Sequence, residues 1–236
     1  MKSFRIGLLG GMSHESTIKY YDQILEKYYE KRHDYDYPEV IIFSLNFQRV
    51  IDLEHDDNRK GYVDYLMEGI KALEQAGASF IVMAANSPHA VYDDLVQLAK
   101  VPILSIVKAT AEKAHQENLK KVLLLGIKFT MQSTFYQDYF AKEGIEVITP
   151  SDEEQDKLNR IIFEELVIGL FKDESKKSIL RIINNYRTDG VILGCTELPL
   201  IISQEDTRVK LLNTLNLHVE AILNQYFKIN SQVHSL

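Results

Sequence analysis

The chain has 236 residues, 45% hydrophobic and 26% charged, with a net charge of −7. That is enough for a sizeable core in one or two globular domains. No basic run or aromatic-basic stripe points to nucleic acid, no apolar stretch approaches a membrane span, and the N-terminus M-K-S-F-R-I-G lacks the apolar core of a signal peptide. One cysteine, Cys195, cannot form an internal disulfide, which fits a reducing cytoplasm. The seven histidines (14, 33, 55, 89, 115, 218 and 234) never fall at paired ligand spacing, so no metal site is expected.

Short apolar runs alternate with longer helical patterns. Strands are predicted at Arg5–Leu9, Val40–Ser44, Phe80–Ala84, Ile103–Ile106, Lys121–Leu125, Glu146–Thr149 and Gly190–Leu193, with a further short one near Val209–Leu212. Helices are predicted over 14–32, 61–76, 88–99, 107–117, 131–143, 152–170, 174–187 and 214–227. Ser151 and Glu154 have capping-box spacing at the start of the sixth helix. Residues 229–236 read as a tail. The β-α alternation implies an α/β fold with parallel sheet and right-handed crossovers.

The chain also repeats itself. Leu8-Leu9-Gly10, then Ser16-Thr17 and Tyr20-Tyr21, resembles Leu124-Leu125-Gly126, then Ser133-Thr134 and Tyr136 with Tyr139. Further on, Phe80 to Pro88 resembles Gly190 to Pro199, which sets Ala85 opposite Cys195. Two matching pairs in one order imply two related lobes, each with a mostly parallel sheet flanked by helices, and a ligand cleft between them.

Three turns have the composition to carry chemistry. In Gly10-Gly11-Met12-Ser13-His14, glycines let the backbone bend towards a ligand, and free N–H groups at the following helix favour an anion. The turn does not match a dinucleotide fingerprint, and His14 reads as a rim residue. In Ala84-Ala85-Asn86-Ser87-Pro88-His89, Ser87 is a candidate N-cap and Pro88 an N1 residue. The Asn86 amide and nearby N–H groups suit a carboxylate, although Asn86 and Ser87 could equally serve as caps alone. In Gly194-Cys195-Thr196-Glu197, a thiol precedes an expected helix N-terminus, which should lower its pKa below about 8.5. Thr196 is a candidate cap, and Glu197 would favour the helix's first turn. A lone cysteine is also simply a small apolar side chain.

These turns, in this order, resemble the aspartate/glutamate racemase family. The resemblance rests on G-L-L-G-G-M-S-x-E-S-T at 7–17, N-S-P-H at 86–89, L-L-G-x-x-x-T-M at 124–131, I-I-F-E-E-L at 161–166 and G-C-T-E at 194–197, and it spans about residues 4–220. It implies two pseudo-symmetric α/β lobes, divided at about 1–115 plus 212–228 and 116–211, no cofactor, and commonly a homodimer. It also implies a mechanism. Two cysteines flank the substrate Cα; one thiolate takes its proton while the other thiol returns one to the opposite face, and hydrogen-bond donors stabilise the carboxylate as charge builds. Carried over, Cys195 is the proton carrier of the second lobe. Met12, Ser13, Asn86, Ser87 and Thr196 hold the substrate's carboxylates, with Ala85 and Glu197 also lining the site.

The sequence departs from this pattern at Ala85, where the first-lobe carrier belongs; a methyl group moves no proton. The family's late aspartate is Asn213 here, while His218 is retained. Three readings follow. One is a weak or asymmetric racemase of aspartate or glutamate, using Cys195 on one face and water or His89 on the other. The second is a one-face enzyme, like the single-cysteine malonate decarboxylases of the same superfamily. The third is an amino-acid-binding protein without catalysis. Arg49 and Lys172 are candidates for a distal carboxylate, and Glu54 could instead disfavour acidic side chains.

Overall fold

The computed structural model describes residues 4–56 and 58–233. The chain divides into two compact units, Met1–Ser105 with His218–Leu236, and Ile106–Leu217. In the first unit the elements run β1 (Arg5–Gly10), α1 (His14–Arg32), β2 (Glu39–Ser44), α2 (Phe47–His55), α3 (Arg59–Gln75), β3 (Phe80–Met83), α4 (Tyr92–Leu98) and β4 (Ile103–Leu104). The second holds α5 (Ile106–Gln116), β5 (Lys121–Leu125), α6 (Lys128–Gln132), α7 (Phe135–Lys142), β6 (Glu146–Ile148), α8 (Asp152–Glu164), α9 (Asp173–Asn185), β7 (Gly190–Leu193) and β8 (Lys210–Asn213). The last helix, α10, spans Thr214–Val233, and its residues from His218 group with the first unit. The segment expected as a tail is therefore helical to Val233, while 234–236, including His234, lie outside the described residues.

Each unit contains one four-stranded, all-parallel sheet. The orders are β2-β1-β3-β4 and β6-β5-β7-β8, so the two sheets share one topology. This is the structural counterpart of the sequence repeat: β1 corresponds to β5 and β3 to β7. The central strands are apolar on both faces because helices cover both faces of a parallel sheet. Every residue of β3 and of β7 is buried. Edge strand β2 instead has no fully buried residue. Leu124 and Ile192 are fully buried in the second core; cutting either to alanine would cost about 2–5 kcal/mol.

Local chemistry sets the helix boundaries. The predicted capping box forms: Ser151 accepts from the Glu154 N–H, and the Ser151 N–H donates to the Glu154 carboxylate. The single helix expected over 131–143 is two helices. Ser133 turns back to donate to the Phe129 carbonyl at 2.7 Å, and its backbone is extended. Helix α2 has no counterpart among the predicted elements. Asn46 caps it by accepting from the Arg49 N–H at 3.1 Å, and Phe47, Val50 and Ile51 fall at helical spacing, although Val50 is its one buried residue and nine residues give the pattern only about two turns. No described helix is long and apolar enough to cross a membrane.

Candidate active site

In each unit the strand order reverses direction between the two central strands, which is where open α/β sheets hold their ligands. In the first unit this brings together the turns that follow β1 and β3. Leu9 pairs with Met83, and the Ala84 N–H donates to the Leu9 carbonyl at 2.9 Å. In the second unit Leu125 pairs with Leu193, and the Gly194 N–H donates to the Leu125 carbonyl. Ala85 and Cys195 thus stand at equivalent places, each the second residue beyond its strand.

The turn after β1 is tight and largely satisfied from within. Gly11 has φ +86°, and a Cβ there would run into the backbone of Leu45. Its N–H donates to the Thr17 hydroxyl at 2.8 Å, which in turn donates to the Ser13 carbonyl at 2.8 Å. The Ser13 side chain caps α1 by accepting from the Ser16 N–H. The free N–H groups expected at this helix start are thus partly consumed by the protein itself. Met12 and Ser13 are buried, and the peptide bond between them is cis. His14 is exposed, with its Nε2 3.1 Å from the Glu15 carboxylate.

After β3, Ala85, Asn86, Ser87 and His89 are all buried. The following helix begins as a 3-10 turn over Ser87–Val91. Asn86, not Ser87, occupies its cap position, with no side-chain capping bond. His89 stacks on Tyr92 with ring centroids 5.5 Å apart, and its Nδ1 lies 3.2 Å from the Asn86 carbonyl. Burial lowers its pKa to about 4, against the opposing pull of hydrogen bonds to the Asn86 and Ala85 backbone. His89 is therefore a neutral imidazole at pH 7.

Cys195, Thr196 and Glu197 are buried as well. The Cys195 thiol donates to the Glu197 carboxylate at 3.0 Å, and the Thr196 hydroxyl lies 3.0 Å from the same oxygen. This overturns the expectation of a lowered thiol pKa. Burial pushes the Cys195 thiol well above its ordinary value, and the charge and hydrogen bond of Glu197 add to the rise. Backbone hydrogen bonds from Glu197 and Thr196 oppose the shift and are outweighed. The expected helix is also missing: one 3-10 turn, Leu198–Leu200, follows, too short to align the peptide dipoles that a full helix would offer. Gly194 lets this turn sit close to its neighbour, since a Cβ there would lie 2.9 Å from the Leu125 carbonyl oxygen.

The more distant candidates have local partners. Asn213 caps α10 by accepting from the Asn216 N–H at 3.1 Å. His218 is fully buried, 2.9 Å from the Tyr20 hydroxyl and 3.2 Å from the Leu104 carbonyl. Burial, then the neighbouring His89, lowers its pKa to about 3. Lys172 pairs with Glu165 at 3.1 Å. Arg49 stacks over the Tyr65 ring at 3.9 Å and reaches Glu68 at 3.5 Å. Glu54 accepts from the Tyr62 hydroxyl at 2.6 Å and is hydrogen-bonded to Ser87. Tyr62 is not legible as a site residue in the sequence, because a tyrosine at helical spacing looks like core. Among the described residues no group of three or more His, Cys, Asp or Glu is placed to hold a metal ion.

Comparison with known proteins identifies the family. The profile of the Asp/Glu/Hydantoin racemase family matches residues 9–222. The broad specificity amino-acid racemase RacX of Bacillus subtilis is 33% identical over 162 residues, covering 66% of this chain and 69% of that protein. The crystal structure of an aspartate racemase homologue from Pyrococcus horikoshii is 43% identical, covers 95% of this chain and 99% of its own, and superposes with a TM-score of 0.81. Aspartate racemase from Picrophilus torridus, 22% identical with 94% of both chains covered, has the same fold with a TM-score of 0.74. The chain belongs to the Asp/Glu/Hydantoin racemase family.

Proposed function

We propose that this protein is a cofactor-independent racemase of a dicarboxylic amino acid, aspartate or glutamate, in which Cys195 is the one thiol proton carrier. The observation that carries the reading is the Cys195–Glu197 hydrogen bond: the sulfur holds its proton beside a carboxylate that can receive or return one. The family membership and the equivalence of Ala85 and Cys195 support it further. Met12, Ser13, Asn86, Ser87 and Thr196 are assigned to the substrate, and Glu197 to Cys195.

The chemistry follows from one carrier. A Cα–H bond breaks as its proton passes to the Cys195 thiolate, and the electron pair moves into the adjacent carboxylate, where hydrogen-bond donors stabilise it. Returning a proton from sulfur to the same face restores the starting enantiomer. Inversion needs a proton from the other face; in the family's two-carrier pattern that carrier belongs at position 85, where alanine supplies none. His89, neutral at pH 7, can accept a proton but holds no readily lost one, which leaves water. Loss of a positioned acid typically costs about 10²–10⁴-fold. Exchange of the Cα proton with solvent should therefore outrun racemisation.

The raised thiol pKa favours a second reading, in which Cys195 only donates. A decarboxylase that protonates a planar intermediate on one face would use it so. Incubation in deuterium oxide separates the cases. Deuterium entering the Cα of L- or D-aspartate or glutamate supports the racemase, and its loss in Cys195→Ala ties it to the sulfur. Carbon dioxide release from a substituted malonate supports the decarboxylase. Binding of an amino acid with neither reaction leaves a protein that binds without catalysis. On the family resemblance, we further infer a cytoplasmic homodimer.

A further inference from the structure

Glu54 lies on α2, the helix with no counterpart among the predicted elements. Its carboxylate accepts from the Tyr62 hydroxyl of α3 at 2.6 Å and is hydrogen-bonded to the Ser87 side chain. Ser87 belongs to the turn that also presents Ala85 and Asn86. This places a carboxylate against the substrate-binding turn of the first unit. Among the described residues, no lysine, arginine or histidine forms an ion pair with Glu54.

An ionised carboxylate offers about four lone-pair directions, and two hydroxyl donors leave room for more. Glu54 is half-buried. Burial raises its pKa, while the hydrogen bonds from Tyr62 and Ser87 oppose the rise. Uncompensated burial of a carboxylate is costly, and a bound cation relieves that cost. A second carboxylate brought to the same place would be repelled. The two hydroxyls fix the carboxylate's orientation, and the rigid Tyr62 ring, itself buried, holds its hydroxyl in place.

We propose that Glu54, held by Tyr62 and Ser87, is the acceptor for an ammonium group of the substrate. This rests on the racemase reading for the identity of the ligand as an amino acid. Two ammonium groups share the chemistry: the α-ammonium that every amino acid carries, and the side-chain ammonium of a basic one.

Calorimetric binding to the intact chain tests it with paired ligands. The pairs are aspartate against succinate, norleucine against hexanoate, and lysine against norleucine. In the wild type, an ammonium should tighten binding at least tenfold in one of these pairs, and Glu54→Gln should erase that advantage. Loss in the first two pairs assigns the α-ammonium; loss confined to lysine against norleucine assigns the side chain. Glu54→Asp, which keeps the charge, should retain part of the advantage. Equal binding within every pair of the wild type overturns the proposal whether or not the variants fold, as does an advantage that Glu54→Gln leaves intact or an absence of binding to all ligands. Deuterium exchange at Cα, run in parallel, separates this from the parent reading. Exchange without an ammonium advantage sinks the subsite alone, whereas an ammonium advantage without exchange sinks the racemase alone.

Discussion

The thiol of Cys195 donates to the carboxylate of Glu197, two residues along the same turn, at 3.0 Å. A cysteine so placed rests as a thiol, because ionising it would set two negative charges side by side in a buried turn. The same neighbour that makes the thiolate scarce also makes it a strong base once formed, and offers an acceptor through which its proton can exchange.

Glu197→Gln should therefore ease ionisation of the thiol. The pH at which thiolate absorbance develops, read as a difference against Cys195→Ala, is expected to move down. A midpoint that stays put or rises would mean that burial alone governs the sulfur.

Ala85→Cys should raise two-way racemisation at least tenfold, at the lower edge of what a positioned acid contributes. The basis is the shared position of Ala85 and Cys195, each two residues past a central strand whose next N–H bonds back to its neighbour. Chiral chromatography of aspartate and glutamate incubations reads the outcome. An unchanged rate would place residue 85 away from the reacting carbon.

His218 and His89 make the fold sensitive to acid. Their pKa values, about 3 and about 4, lie below the 6.5 of a free histidine. The unfolded chain thus binds more protons between those limits, and stability that is complete above pH 6.5 is lost as pH falls towards 4 and then 3. The melting temperature should drop across that range. His218→Gln, which lowers stability at neutral pH through the lost Tyr20 and Leu104 contacts, should flatten the slope. A variant as steep as the wild type would assign the acid sensitivity elsewhere.

Gly11→Ala should destabilise the chain by about 1–3 kcal/mol, the usual cost of a side chain forced into a disfavoured backbone region, with crowding against Leu45 added. Gly169→Ala is the control, since φ is +75° there but nothing lies within 4 Å of the added carbon. Thermal melts should rank Gly11→Ala as the more damaging; the reverse order would show that crowding at the β1 turn is relieved cheaply.

Much of the architecture is legible in the sequence. The eight strands of the described residues have counterparts among the predicted ones, and the central ones stand out most, because a parallel strand covered on both faces must be nearly continuous in apolar residues, as in the runs Val122–Leu125 and Val191–Leu193. The equivalence of Ala85 and Cys195 is legible for a related reason: an apolar strand followed by a turn recurs in both halves with small residues at the same places. Helix α2 is absent from the predicted elements although Asn46 can cap it and Phe47, Val50 and Ile51 fall at helical spacing, because nine residues give that pattern only about two turns.

Local patterning of apolar and small residues decided the strands, the turns and the lone sulfur among them, because those depend on neighbours a few positions away. Folding decided what each polar group meets. Whether Cys195 is a thiol or a thiolate hangs on burial and on the path of residues 196–200 as a short 3-10 turn, and the company Glu54 keeps comes from Tyr62 and Ser87, brought to it by the packing of separate elements. Proton affinity responds to distance and solvent exposure in three dimensions, and neither quantity is written in residue order.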